Sequence, residues 1–363
     1  MNNENQTIHK SDDNLTIYGW NEKLNQLKQE SIYSTLAYGR VSIVHRTCYE
    51  VISGNGLFQC ELTGNMMYGK SDDELPCTGD WVIFQPFDEH KGIIVDSLPR
   101  ERTLYRKKSG TVADKQAIAS YVDKAFIVQS LDDNFNVRRV ERFMVQIMEE
   151  NISSVLVLNK ADLDFDRQSV EEQIKHISSQ IPVFFTSIHQ PETIVRLRKS
   201  ISEGETVVFV GSSGVGKSSL VNALCEKPVL LTSDISLSTG KGRHTSTRRE
   251  MVLMDSSGVL IDTPGVREFG LAIDNPDSLA EVLEISDYAE LCRFKDCKHI
   301  NEPGCAVIEA VNSGALDSKV YASYLKLRRE AWHFSASEHE KRKKEKSFTK
   351  LVEEVKNRKD ASR

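Results

Sequence analysis

Residues 211–220 read GSSGVGKSSL and contain the pattern G-x-x-x-x-G-K-[ST] from Gly211 to Ser218. The apolar segment TVVFV precedes this pattern and SSLVNALC overlaps its end, so the loop joins a predicted strand to a predicted helix. Glycines let backbone N–H groups approach phosphate oxygens, and the helix N-terminus favours their negative charge. We therefore predict a phosphate loop formed by Gly211, Ser212, Ser213, Gly214, Val215, Gly216, Lys217, Ser218 and Ser219.

Several side chains have predicted roles around the phosphates. Lys217 would reach the outer phosphates, and the Ser218 hydroxyl would bind Mg²⁺. Asp262 ends the apolar strand in LIDTPG, where its carboxylate suits a water-bridged contact with the same ion. Gly265 can donate its N–H to a γ-phosphate. Thr245, in the intervening segment GRHTSTRR, suits the threonine that closes over Mg²⁺, and Thr247 in the same segment is the alternative.

The segment LNKADL (158–163) follows another apolar run and is typical of a guanine-binding loop. Asp162 can accept hydrogen bonds from the ring N–H and the exocyclic amine of guanine, a pair of donors that adenine does not present. Asn159 can bind the purine edge and tie its loop to the phosphate loop, and the Lys160 stem can cover the base. We predict that Asn159, Lys160, Ala161 and Asp162 bind GTP or GDP, with Thr186 and Ser187 ending the next strand beside them.

The base-binding segment precedes the phosphate loop in this chain, which reverses the usual order. Buried strands alternate with helices from residue 121 onward, as in a parallel sheet covered on both faces. The same sheet can be built if the original termini are joined and new ones are opened elsewhere. The order of motifs therefore predicts a circularly permuted Ras-like GTPase domain, whose second switch leads directly into the C-terminal region.

Composition and length place these motifs in a multidomain protein. The 363 residues suit two or three domains, and 39% hydrophobic with 28% charged residues is typical of a soluble globular chain. No apolar run approaches membrane-spanning length, and the polar N-terminus lacks a secretory signal, so we expect a cytoplasmic protein with no membrane partner. We also expect a monomer.

Short alternating strands between residues 36 and 98 predict a small β-barrel, of which the OB-fold is the common nucleic-acid-binding example and another kind of barrel is the alternative. The regions that we predict are a disordered or loosely helical extension (1–35), an OB-fold barrel (36–105), the permuted GTPase domain (106–272), a helical zinc-binding domain (273–335) and a charged helical tail (336–363).

Three of the seven cysteines cluster in the C-terminal region, in the pattern Cys292-x4-Cys297-x-His299-x5-Cys305. Three thiolates and one imidazole are the right set for a closed tetrahedral Zn²⁺ site. Free thiols beside a surface histidine are the alternative, because the spacing differs from the usual C-x-x-C. Four protein ligands would leave no position for catalysis, so we expect one structural zinc ion per chain.

The barrel, the permuted motif order and the segment CRFKDCKH…EPGCAV together resemble the ribosome small-subunit-dependent GTPase A family over about residues 36–335. The resemblance implies a late-acting assembly factor that binds the small (30S) ribosomal subunit and its 16S rRNA and hydrolyses GTP in response. It also favours zinc at the cysteine cluster. Ile188 and Ser246 depart from residues that are common in the family.

Val266 occupies the position where Ras-like proteins carry a glutamine that orients the attacking water. Because valine cannot hydrogen-bond, we expect slow hydrolysis that a partner or another residue completes. His244, beside Thr245, is the best internal candidate, and an rRNA-facing role for His244 is the alternative.

Two other functions remain open from the sequence. The chain could be an RNA-binding adaptor whose GTP site only switches affinity, or a metabolic kinase, which the guanine-binding segment disfavours.

The tail from residue 338 holds ten Lys/Arg against six Asp/Glu, so nucleic acid is a plausible partner despite the net charge of −6. We expect phosphate contacts from Arg100, Arg102, Lys107, Arg248 and Arg249.

Overall fold

The computed structural model describes residues 15–71, 73–107, 115–226, 228, 250–255, 257–262 and 276–335. The described residues up to Arg106 and from Lys115 to Asp262 belong to one compact unit, and those from 276 to 335 belong to a second. The charged tail from residue 336 lies outside the described residues.

A closed five-stranded barrel forms the first part of the larger unit. The elements are α1 (Glu22–Glu30), β1 (Ala37–Val44), β2 (Tyr49–Ser53), β3 (Gly56–Leu62), α2 (Gly64–Gly69), β4 (Trp81–Asp88) and β5 (Lys91–Ser97). The strands follow the order β1-β2-β3-β5-β4, and β4 pairs back to β1, so the barrel has no open edge. Alternate residues of β2 point inward and pack with Val41 and Phe84. The predicted OB-like barrel is confirmed.

Residues 15–35 of the N-terminal extension pack on this barrel and are more ordered than the disordered or loosely helical start that we expected, while residues 1–14 lie outside the described residues. Asn21 caps α1 by accepting a hydrogen bond from Leu24 N at 3.1 Å. Leu24 and Trp20 are buried, and the indole of Trp20 lies with its edge toward Trp81, with ring centroids 4.8 Å apart. Burial of such large apolar side chains stabilises the segment as part of the core.

The second part of the larger unit is an α/β domain. Its elements are β6 (Leu104–Lys107), β7 (Lys115–Ala119), β8 (Lys124–Ser130), α3 (Val137–Glu149), β9 (Ser153–Asn159), α4 (Arg167–Gln173), α5 (Lys175–Ser178), β10 (Val183–Thr186), α6 (Pro191–Arg198), β11 (Thr206–Val210), α7 (Lys217–Leu224), β12 (Glu250–Met254) and β13 (Ser257–Asp262). Every residue of β11 is buried, as expected of a central strand covered on both faces.

The strand order of this domain is β10-β9-β8-β11-β13-β12. The first five strands are parallel, and β12 is antiparallel to β13. The carboxyl ends of parallel strands lie at one edge of a sheet, where ligands of open α/β folds bind. Consequently Asn159, Thr186, Asp262 and the loop after Val210 share an edge, although they come from distant parts of the chain. This topology confirms the predicted circular permutation.

A strand pairing and a buried arginine help to join the barrel to the α/β domain within the larger unit. Ile43 of β1 pairs with Glu250 of β12, so one continuous sheet runs through both parts. The buried Arg40 guanidinium donates to the Thr206 hydroxyl at 2.8 Å, to the Gly79 carbonyl at 2.9 Å and to the Tyr18 carbonyl. Burial lowers the pKa of Arg40 to about 10, so the side chain stays charged at neutral pH.

The smaller unit is helical, as predicted. It contains α8 (Pro276–Val282), α9 (Ser286–Ala289), α10 (Ala306–Ser313) and α11 (Ser318–Ser335). The irregular segment between α9 and α10 carries the three clustered cysteines and His299. Gly314 ends α10 in the left-handed conformation, the usual glycine stop of a helix.

Candidate functional site

The predicted phosphate loop connects the buried strand β11 to the N-terminus of α7. Gly211 has a φ of +151°, and a Cβ there would lie 2.4 Å from the Val128 carbonyl oxygen. Gly216 precedes α7 with a φ of +94°, and its Cβ would lie 2.3 Å from Asn159 Nδ2. Both positions therefore require glycine, because a side chain would collide with a neighbouring strand or loop.

Lys217 is folded along this loop. Its Nζ donates to the carbonyl oxygens of Gly211 at 2.8 Å and Ser212 at 2.7 Å. The ammonium thus lies against the backbone that would surround the phosphates, and Ser218 follows it in the first turn of α7. A cation, a hydroxyl and free helical N–H groups are the set that binds phosphate and Mg²⁺.

Asn159 links the base-binding segment to the phosphate loop. The buried Asn159 side chain donates from Nδ2 to the Val215 carbonyl at 2.9 Å. Its Oδ1 accepts a hydrogen bond from Thr186 Oγ1 at 3.3 Å. A single side chain therefore fixes the relative positions of three loops, which belong to β9, β10 and β11.

Asp162 and Ser187 lie together at the polar end of the predicted base site. The Ser187 hydroxyl donates to Asp162 Oδ1, and this hydrogen bond lowers the pKa of the exposed Asp162 carboxyl. Ala161 N donates to the Thr186 carbonyl at 3.0 Å, which closes the two loops on each other. The carboxylate that would accept from guanine is therefore ionised and held in place.

Two residues of this site have only weak sequence signals. Thr193 Oγ1 accepts from Ser187 N at 3.0 Å and so supports the loop that would contact the base. Asp132 Oδ2 lies 2.8 Å from Lys160 Nζ. Burial opposes ionisation of Asp132, but hydrogen bonds from Lys160 and Ser130 prevail and lower its pKa to about 2. In the sequence, the one indication of a role for Asp132 is that this carboxylate comes just after an apolar strand, β8. The strand β8 lies beside β9, which leads into the predicted base-binding segment.

The Mg²⁺ side of the site is described only in part. Asp262 is buried at the end of β13, directly beside the strand that leads into the phosphate loop. His244, Thr245, Thr247, Gly265 and Val266 lie outside the described residues.

Cys292, Cys297, His299 and Cys305 converge in the smaller unit, with their ligand atoms all within 4.8 Å of one another. Cys292 Sγ and Cys305 Sγ are 3.8 Å apart, and each lies 3.5 Å from His299 Nδ1. A tetrahedral zinc ion with Zn–S bonds of about 2.3 Å requires sulfur atoms about 3.8 Å apart. The donor set and these distances fit a closed zinc site.

Neighbouring groups shape this cluster. The Glu302 carboxylate accepts from the backbone N–H groups of Lys298 at 3.1 Å, Ile300 at 2.9 Å and Asn301 at 3.1 Å. These bonds tighten the turn between His299 and Cys305. Tyr321 on α11 donates to the His299 carbonyl at 2.5 Å. Burial, assisted by Arg328, lowers the pKa of His299, which keeps the imidazole in the neutral form that binds metal.

Arg100 and Arg102 make internal contacts that the sequence does not reveal. Arg100 donates from Nε to both carboxylate oxygens of the buried Asp80 at 3.0 Å, and its side chain is only 15% exposed. The expectation that Arg100 contacts RNA phosphates is therefore wrong. Arg102 pairs with Asp123 at 3.0 Å and remains partly exposed. Lys107, Arg248 and Arg249 have no described side chain.

Comparisons with known proteins agree with this geometry. The model of the RsgA GTPase family matches residues 97–272. The model of the ABC transporter family matches residues 194–358, a range that includes the phosphate loop found in both kinds of nucleotide-binding protein.

Curated relatives match almost the whole chain. Small ribosomal subunit biogenesis GTPase RsgA 1 of Bacteroides thetaiotaomicron is 76% identical over 359 residues, which cover 99% of each chain. Small ribosomal subunit biogenesis GTPase RsgA of Methanosarcina acetivorans is 38% identical over 338 residues, covering 90% of this chain and 89% of the relative.

Among solved structures, YjeQ from Thermotoga maritima matches with a TM-score of 0.62 and 26% identity, covering 81% of this chain and 98% of that one. The circularly permuted GTPase YloQ has a TM-score of 0.60 and 21% identity, covering 85% of this chain and 99% of its own, which supports the fold alone.

Proposed function

Because this chain belongs to the RsgA GTPase family, we propose that it binds the small ribosomal subunit, acts in its late maturation and hydrolyses GTP to GDP and phosphate there. The observation that carries the proposal is the hydrogen bond from Asn159 to the Val215 carbonyl. It joins a guanine-binding segment to a phosphate loop in the arrangement that a permuted GTPase requires.

The proposed nucleotide contacts follow from this arrangement. Asp162 would accept from guanine, and the glycine-rich loop with Lys217 would surround the phosphates. Mg²⁺, bound together with GTP, would be held by Ser218 and Thr245, with Asp262 acting through water, and would neutralise charge on the transferred phosphoryl group. We propose the same nucleotide-binding residues as the sequence predicts, including Gly265 at the γ-phosphate.

Hydrolysis by this site would depend on its partner. Val266 cannot orient water, so the intrinsic rate would be low, and His244 is the proposed internal group that accepts from or orients the attacking water. Docking on the subunit would complete the site and accelerate hydrolysis, and the loss of γ-phosphate contacts at Thr245 and Gly265 would then release the factor.

The zinc ion has a structural role in this proposal. One Zn²⁺ per chain would be bound by Cys292, Cys297, His299 and Cys305. The ion would hold these four side chains together and so stabilise a segment that buries few apolar residues. The proposed boundaries are 36–105 for the barrel, 106–272 for the GTPase domain and 273–335 for the zinc domain, flanked by the terminal regions.

The proposed partners are the small (30S) subunit, its 16S rRNA and guanine nucleotides, with the protein acting as a monomer in the cytoplasm. Within the ranges that the structure describes, no helix combines the length and apolarity needed to cross a bilayer.

Binding to purified small subunits tests the nucleotide switch. We expect tight binding with a non-hydrolysable GTP analogue, weak binding with GDP or without nucleotide, and affinity that falls steeply with salt, as expected when RNA phosphates are neutralised. Equal affinity with the analogue and with GDP would refute coupling between hydrolysis and release.

A further inference from the structure

Asp132 lies where two neighbouring parallel strands end. Ser130 of β8 is paired with Asn159 of β9, and Leu131 N donates to the Asn159 carbonyl at 2.9 Å. This register places Asp132, two residues beyond β8, beside Lys160, one residue beyond β9. The two side chains meet in an ion pair, with Lys160 Nζ 2.8 Å from Asp132 Oδ2.

The Asp132 carboxylate is itself held in place. Its Oδ1 accepts from the Ser130 hydroxyl at 2.6 Å and from Asn134 N at 3.0 Å. Arg139, in the first turn of α3, donates to the Asn134 carbonyl at 3.0 Å and so ties this loop to the helix. Asp132 is therefore a fixed acceptor that can determine where the mobile end of a lysine side chain lies.

Lys160 is the residue whose methylene stem would cover the base. Its backbone has a φ of +61°, a left-handed conformation in which the stem leaves the loop in a restricted direction. A lysine stem that is anchored at neither end samples many rotamers, and a ligand must order it on binding. Anchoring the ammonium removes much of that freedom before the ligand arrives.

We propose that Asp132 is a positioning residue for the guanine base: it holds the Lys160 ammonium so that the methylene stem stays across the base site. The inference rests on the proposed guanine site and adds a residue outside the guanine-binding segment to it. Because the contact concerns the base and not the γ-phosphate, Asp132 strengthens the binding of GDP and GTP equally and leaves the catalytic step unchanged.

The variant Asp132→Asn tests this role with little other change. Asparagine keeps an oxygen for Ser130 and Asn134 but presents an amide N–H₂ to the Lys160 ammonium, so two donors face each other. Asp133→Asn is the matched control, because it removes the same charge from an adjacent exposed carboxylate. Dissociation constants for GDP and a non-hydrolysable GTP analogue, with kcat and KM for GTP, are the measurements.

We expect Asp132→Asn to raise both dissociation constants and KM by the same factor, about three- to tenfold, at unchanged kcat. Asp133→Asn should match the unaltered protein. Unchanged or tighter nucleotide binding in Asp132→Asn would overturn the proposal, and so would a loss confined to kcat.

A Lys160→Ala background tests whether Asp132 acts through Lys160. If Asp132 acts through Lys160, then Asp132→Asn has no further effect on GDP affinity in that background. The same three- to tenfold loss there would overturn the proposal while leaving the guanine site intact. Equal affinity of the unaltered protein for GDP and ADP would instead refute the guanine site itself, and the present inference with it.

Discussion

The loops of the proposed guanine site and the cysteine cluster are held together in different ways. Protein hydrogen bonds fix the first site, since Asn159, Ser187 and Asp132 each connect one loop to another above a sheet of buried strands. In residues 291–305, by contrast, only His299 and Cys305 are buried, and Leu291, Phe294 and Ile300 are exposed. Such a segment buries little apolar surface, so metal ligation would be its main stabilising interaction, in addition to the hydrogen bonds made by Glu302 and Tyr321.

The largest expected effect comes from removing a zinc ligand. Cys297→Ser should reduce bound zinc from about one ion per chain to almost none, because three ligands no longer close the tetrahedron. Amide exchange should accelerate around residues 291–305, while GDP affinity stays nearly unchanged. Zinc analysis and hydrogen exchange measure both effects, and Cys48→Ser, in the barrel, is the control. Full zinc content in Cys297→Ser would refute the ligand assignment.

The next largest expected effect is a difference in pH dependence: acidification should weaken zinc binding far more than GDP binding. Thiols must be deprotonated to bind zinc, so the apparent zinc affinity should fall by more than about a hundredfold between pH 7 and pH 5. Asp162 and Asp132 have lowered pKa values, so their contributions are fully present above the ordinary aspartate range and are lost only as pH falls through the lowered values.

GDP binding should therefore stay level from pH 7 to pH 5 while zinc is released to a chelator. Parallel titrations of both ligands check this difference. A loss of GDP affinity that follows zinc release would show that the two sites are not held independently.

Asp162→Asn should weaken GDP binding by about thirtyfold, since hydrogen bonds to a charged acceptor are lost and the amide places a donor against the guanine donors. The same amide can donate to the C2 carbonyl of xanthine, so XDP should bind the variant better than GDP. Asp164→Asn, an exposed neighbour, is the control. A variant that keeps its preference for GDP over XDP would contradict the role of Asp162.

The smallest effect concerns the support of the cysteine cluster. The Glu302 carboxylate accepts hydrogen bonds from three backbone N–H groups, and these bonds lower its pKa to about 2. The substitution Glu302→Gln replaces the charged acceptor with a neutral one and so weakens these bonds. Zinc transfer to a chelator should become about tenfold faster. The effect is modest because Glu302 supports the turn that carries the ligands and does not itself bind the metal. Glu290→Gln, exposed on the same unit, should transfer zinc at the original rate. Equal rates in both variants would show that Glu302 does not support the site.

Much of the architecture could be predicted from sequence because its signals are local. Continuous apolar runs identify β8, β9 and β11, and glycines with a following lysine identify the phosphate loop. The permutation follows from the order of motifs alone, since each motif lies at the carboxyl end of its own strand.

The rest depends on contacts between distant segments. No periodic pattern in the sequence indicates which distant residues will meet. Examples are the packing of Trp20 against Trp81, the pairing of Ile43 with Glu250 and the ion pair of Arg100 with Asp80. Arg100 shows the limit most clearly, because a basic run appears the same in sequence whether its guanidinium meets RNA or a buried carboxylate. Asp132 is similar, since only the strand register places it beside Lys160.

The rate of GTP hydrolysis with and without ribosomal particles tests the central claim most directly. With saturating GTP, we expect a slow intrinsic rate that rises at least about tenfold when purified small subunits are added. Large subunits or free rRNA in equal amounts should leave the rate near its intrinsic value. An unchanged rate with small subunits, or equal stimulation by large subunits, would contradict a GTPase whose site is completed by docking on the small subunit.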